Sequence, residues 1–94
     1  MRKETRSYVD YKKEEMIDTL NYYVRKKEES YQDKAEWCLT RLTQIYDECI
    51  DSMRYTAYFL NEMTEEEYQT IGKEMHALLD ELRKRAVSEI TEGE

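Results

Sequence analysis

Residues 30–63 read SYQDKAEWCLTRLTQIYDECIDSMRYTAYFLNEM, and the fold turns on how this stretch is read. Ala35, Cys38, Leu42, Ile45, Cys49, Met53, Leu60 and Met63 recur at helical spacing, and Leu39, Tyr46 and Ile50 widen the stripe. Apolar residues three or four apart line one face of an α-helix. Neither Pro nor Gly interrupts the stretch, so it reads as one helix of about 50 Å at 1.5 Å per residue. A helix that long with one apolar side needs covering faces, and the flanking segments have to supply them. Trp37, Tyr55 and Phe59 form a second, smaller arc. Two arcs are expected of a helix that touches neighbours on two sides, as the middle member of a three-helix bundle does.

Outward from this core, Val9, Met16, Ile17, Leu20, Tyr23 and Val24 gather on one side of a first helix, capped at Thr5 or Ser7 and ending near Glu28. Ser30 with Asp33 three residues on resembles a capping box and marks the break before the second helix. No Gly stands in 26–29, so a continuous helix through this point is the alternative. Thr64-Glu65-Glu66-Glu67 is the clearest local signal: Thr64 caps, Glu67 completes the box, and the acids complement the helix dipole. The third helix carries Tyr68, Ile71, Met75, Leu78, Leu79, Leu82 and Ala86, with Asp80–Lys84 and Glu81–Arg85 at i,i+4 spacing. Gly72 lies inside it, where it costs about 1 kcal/mol against Ala, and is expected to admit a neighbouring helix.

The chain therefore reads as one all-α domain, residues 1–94, an antiparallel three-helix bundle with a long central helix. The helices are expected at about 6–28, 31–62 and 65–88, with a frayed tail over 89–94. A central helix that outruns its partners leaves apolar surface at one end. Either it breaks around Thr56 to Phe59, or a second copy covers the overhang, and a homodimer is the favoured expectation.

Composition agrees. There is no Pro, only two Gly, and 39% of residues are charged, a helix-forming mixture at a length near the lower limit for a self-sufficient core. The net charge of −7 is uneven: 8 basic and 7 acidic residues up to 29, 3 and 6 over 30–63, and 4 and 9 beyond. Binding to phosphates needs a concentrated basic face, and no segment offers one, so direct nucleic-acid binding is not expected. Cys38 and Cys49 are about 16 Å apart along one helix, too far for a disulfide within the chain. They read as buried, reduced thiols of a cytoplasmic protein, with a bridge across a dimer or a redox sensor as the alternatives. Residues 1–7 are polar with no apolar run after them, so neither a signal peptide nor a membrane span is expected.

Chemistry-bearing patterns are few. His76 is the single histidine, with Lys73 three residues before it where a bundle metal site has Glu. Paired acids such as Glu14-Glu15 diverge around the helix, and no phosphate-binding or calcium-binding loop is present. No catalytic residue, metal or cofactor is expected, and the protein reads as a non-enzyme.

Tyrosine is the anomaly: nine, against one Phe and one Trp. A phenol is awkward in a helical core unless its hydroxyl finds a partner. Tyr8, Tyr11, Glu15, Asp18 and Tyr22 fall opposite the core side of the first helix, and Asp47, Asp51, Tyr58 and Glu62 share an outer face of the second. Exposed tyrosines among carboxylates are typical of recognition surfaces, and carboxylates one turn apart imitate a line of phosphates. The expected partner is a basic, nucleic-acid-binding protein, inhibited or regulated through this surface. In type, the chain resembles small acidic phage-encoded inhibitors of host defence, such as anti-CRISPR and anti-restriction proteins. Met63, Thr64, Glu65, Glu66, Glu67 and Tyr68, then Ile71, Glu74, Leu78, Leu79, Leu82 and Arg85, resemble the C-terminal dimerisation helix of winged-helix transcriptional repressors over residues 63–86. That resemblance implies the alternative, a dimerisation or effector module of a transcriptional regulator. The chain departs from those families in having no wing hairpin and no basic recognition helix.

Overall fold

The computed structural model describes residues 1–91: α1 (Lys3–Arg25), α2 (Tyr31–Tyr58) and α3 (Glu65–Thr91), joined by short turns. Each helix packs against both others in an all-α, three-helix bundle, a rod of 48 × 17 × 17 Å. Val9, Met16 and Leu20 of α1 meet Cys38, Leu42, Ile45, Cys49, Met53 and Ala57 of α2. Ile71, Met75, Leu79, Leu82, Ala86 and Ile90 of α3 close the core. Among the described residues no helix is long and apolar enough to cross a membrane.

Both expected caps form. Ser30 Oγ accepts from the Asp33 N–H at 3.2 Å. Thr64 and Glu67 exchange two bonds, Glu67 N–H to Thr64 Oγ1 at 3.1 Å and Thr64 N–H to Glu67 Oε1 at 3.0 Å. The start of α1 differs from expectation: it begins at Lys3, with Arg2 at the cap position and no side-chain cap. Tertiary ties replace the cap. The Met1 ammonium sits 2.6 Å from Glu67 and Arg2 lies 3.2 Å from Glu62, fastening the first turn to the α2–α3 corner. At its other end α1 stops at Arg25, and buried Lys34 donates its ammonium to the Lys26 carbonyl, satisfying a group the helix leaves open.

The long central helix is shorter than expected. α2 stops at Tyr58 because Asn61 takes a left-handed backbone (φ 55°), a conformation Asn tolerates better than most residues. The Leu60 N–H then reaches the Tyr55 carbonyl at 3.1 Å and the Glu62 N–H reaches that of Thr56 at 3.0 Å. With 28 residues in α2 against 23 in α1 and 27 in α3, the length mismatch that called for a second copy is reduced. Met63 turns back into the core, whereas Leu60, expected in the stripe, is half exposed. At the other end α3 continues through the expected frayed tail as far as Thr91, anchored by buried Ile90. The rest of that tail, residues 92–94, lies outside the described residues.

Gly72 also departs from expectation. Apart from its chain neighbours and its own turn of helix backbone, no atom lies within 4 Å of where its Cβ would stand, so it admits no neighbouring helix. It floors an open groove between α2 and α3, with Tyr46, Ile50 and Tyr68 along the walls.

Candidate functional site

Charged side chains divide into those that join helices and those that do not. Lys12 occupies a core-facing position of α1 and is buried along its stem. Its ammonium emerges between Glu15 Oε1 (3.1 Å) and Glu48 Oε2 (2.8 Å), the behaviour of a long cationic side chain over apolar surface. Arg41 completes an alternating cluster, 3.4 Å from Glu15 and 3.7 Å from Glu48. Burial alone would lower the Lys12 pKa, but the bonds to Glu48 and Glu15 outweigh it, so the ammonium is held well above its ordinary range. The same bond from Lys12 holds the Glu48 carboxyl below its usual range. On the α1–α3 side, Glu74 Oε2 accepts from Lys13 at 2.9 Å and Arg6 at 3.0 Å, with its carboxyl pulled down chiefly by Lys13.

Against this frame the nine expected surface residues separate. Tyr11, Glu15, Asp18 and Tyr22 come together in one shallow trough on α1, with Arg41 of α2 at its edge. Tyr11, Asp18 and Tyr22 are exposed, but Glu15 is held by Lys12 and Arg41 as part of the α1–α2 seam. Tyr8 is a correction. It is only partly exposed and packs against the core, its hydroxyl hydrogen-bonded to Ser52 Oγ at 3.1 Å. Asp47 and Asp51 are exposed on α2, where Asp51 pairs with Arg54 at 3.1 Å and Asp47 takes no ion pair among the described residues. Tyr58 and Glu62 lie at the far end. Tyr58 donates its hydroxyl to Glu65, which holds the phenol above its ordinary range, and packs edge-on to Tyr68. Glu62 is the partner of Arg2.

What the periodicity misplaced is the second arc of α2. Trp37, Tyr55 and Phe59 are not part of the core. They are 43%, 55% and 77% exposed, with Tyr55 and Phe59 stacked at 5.5 Å. A signal for this was present: three helices of similar length need one stripe each, and α1 and α3 supply no second stripe to cover another arc. Lys26 lies 5.6 Å from the Tyr22 ring centre and 6.0 Å from that of Trp37, so the α1 trough and the outer face of α2 meet at this ammonium.

The remaining reactive groups are quiet. Cys38 and Cys49 are free and buried, and loss of solvent pushes both thiols up to about 11, where little thiolate exists at neutral pH. His76 is exposed, its ring edge-on to Tyr46 at 6.2 Å. Among the described residues no three His, Cys, Asp or Glu side chains group so as to hold a metal. No protein-family model, no curated protein and no solved structure matches this chain.

Proposed function

We propose that this protein is a non-enzymatic interaction protein that binds a basic, nucleic-acid-binding protein and inhibits or regulates it by occupying its charged groove. The supporting observation is the outer face of α2: exposed Trp37, Tyr55 and Phe59 in line, with Asp47 and Asp51 between them and not engaged in joining helices. Large exposed aromatics carry binding energy where a partner desolvates them, and carboxylates at helical spacing compete for cations that otherwise meet phosphates. The Tyr11, Asp18 and Tyr22 trough extends the same character around the rod.

The alternative, a dimer module built on α3, has less behind it. Ile71, Met75, Leu79, Leu82, Ala86 and Ile90 all face the chain's own core, which leaves α3 no second stripe for a symmetry mate.

Affinity capture from the cells that make the protein tests the proposal. A captured basic protein should be released as salt approaches about 1 M, where the Debye length falls to about 3 Å, and should be lost with Asp47→Lys/Asp51→Lys. Capture indifferent to salt and to charge reversal would contradict it.

A further inference from the structure

The outer face of α2 carries a repeat. Asp33 stands one turn before Trp37, and Asp51 one turn before Tyr55, so the same aspartate–aromatic pair recurs after eighteen residues. Eighteen residues are five full turns, so both pairs point the same way, about 27 Å apart along the axis. Both aspartates and both rings are exposed, and Phe59 widens the second pair by stacking on Tyr55. A carboxylate one turn from a ring receives an arginine or lysine twice over, by ion pair and by cation–π contact. Lys26, 6.0 Å from the Trp37 ring centre, already makes the second kind of contact within the chain.

Three occupants compete for this face. Nucleic acid would meet aspartates and a net charge of −7, which repel it. A second copy pairing α2 on α2 in parallel would set every aspartate against itself. In the antiparallel pairing that matches Trp37 to Tyr55, the two-fold axis passes near residue 46, so Asp47 approaches its own copy and Asp33 falls on Phe59. The third is a foreign helix with opposite charges in the same register. It alone satisfies both pairs and Asp47 together, and near-parallel helices keep contact over several turns.

Resting on the proposed function, we infer that the outer face of α2 docks a basic helix of the partner protein, two of whose arginines or lysines stand eighteen residues apart.

The sole tryptophan, Trp37, reports on this face directly. The probes are two synthetic alanine-rich helical peptides of one composition, without tryptophan or tyrosine. One has arginines eighteen residues apart, and the other has them nine apart, on opposite sides of the helix. The in-phase peptide should change Trp37 emission saturably and bind about tenfold tighter at low salt, one clamp then being worth about 1.4 kcal/mol. Asp33→Asn and Asp51→Asn should each weaken it about fivefold but the out-of-phase peptide, whose one facing arginine can use either clamp, by no more than about twofold, with circular dichroism confirming the fold. Equal binding of the two peptides would overturn this assignment and leave the basic-target reading standing. No saturable binding of either would overturn both. Self-association in sedimentation that Phe59→Asp abolishes would give the face to a second copy.

Discussion

The inner flanks of α1 and the outer face of α2 both carry charged groups and aromatic rings, yet they do opposite things. On α1, Lys12, Glu15, Lys13 and Arg6 are each held by a group on another helix, and the Tyr8 hydroxyl meets Ser52. On α2, Trp37, Tyr55 and, at its C-cap, Phe59 are exposed, and Asp47 takes no ion pair among the described residues. Side chains engaged in holding helices together are not available to a partner, whereas those on α2 can be desolvated by one without loosening the fold. Composition does not distinguish the two regions; pairing across helices does.

The contrast can be broken most forcefully from beneath. Leu42→Ala removes a fully buried side chain of α2 and should cost about 2–5 kcal/mol in chemical denaturation, whereas Phe59→Ala at the C-cap of that helix should stay within about 0.5 kcal/mol. A comparable loss at Phe59 would mean that the outer face is covered in the native protein. Next in size, Lys12→Met keeps the apolar stem but removes the ammonium shared by Glu15 and Glu48, with an expected loss of about 1 kcal/mol. Asp47→Asn should cost nothing measurable by the same assay.

Gly72→Ala should act in the other direction. With nothing within 4 Å of the added methyl group, the better helix former should stabilise the protein by up to about 1 kcal/mol. A loss would show that a neighbour closes over the groove.

Acid should loosen the seams between helices. The carboxyls of Glu48 and Glu74 are held below their ordinary values by Lys12 and Lys13 respectively. A carboxyl with a depressed folded-state pKa contributes stability that is present above its unfolded value and lost as pH falls through the folded one. Stability should thus hold from neutral pH to about 4.5 and decline below it. Glu74→Gln should flatten that decline and Asp47→Asn should leave it unchanged. The raised pKa of Lys12 places its own loss well into the alkaline range. Denaturation midpoints followed from pH 7 to 3 give the comparison.

Much of the fold was legible because it rests on local rules. Stripes three or four residues apart located all three helices, and Ser30 and Thr64 announced two starts through bonds reaching only three residues. What stayed hidden depends on neighbours. Lys12 and Lys34 stand at core-facing positions where a lysine reads as a break in the stripe, but their long stems bury while their ends find acceptors on other segments. Tyr8 reads as outward until Ser52 is placed opposite it. The end of α2 depends on one left-handed Asn61, and the exposure of Trp37, Tyr55 and Phe59 on the absence of a covering helix. Of the candidate surface, Tyr11, Asp18, Tyr22, Asp47 and Asp51 were legible as exposed residues at helical spacing, but the periodicity of Trp37, Tyr55 and Phe59 reads as an arc covered by a neighbouring helix.

The most direct test is equilibrium unfolding by circular dichroism of Trp37→Gln/Tyr55→Gln/Phe59→Gln against the unaltered chain, with capture of the basic partner scored on the same samples. The account predicts unfolding free energies within about 0.5 kcal/mol per substitution together with loss of the partner. A loss of several kcal/mol, or an undiminished capture, would contradict it.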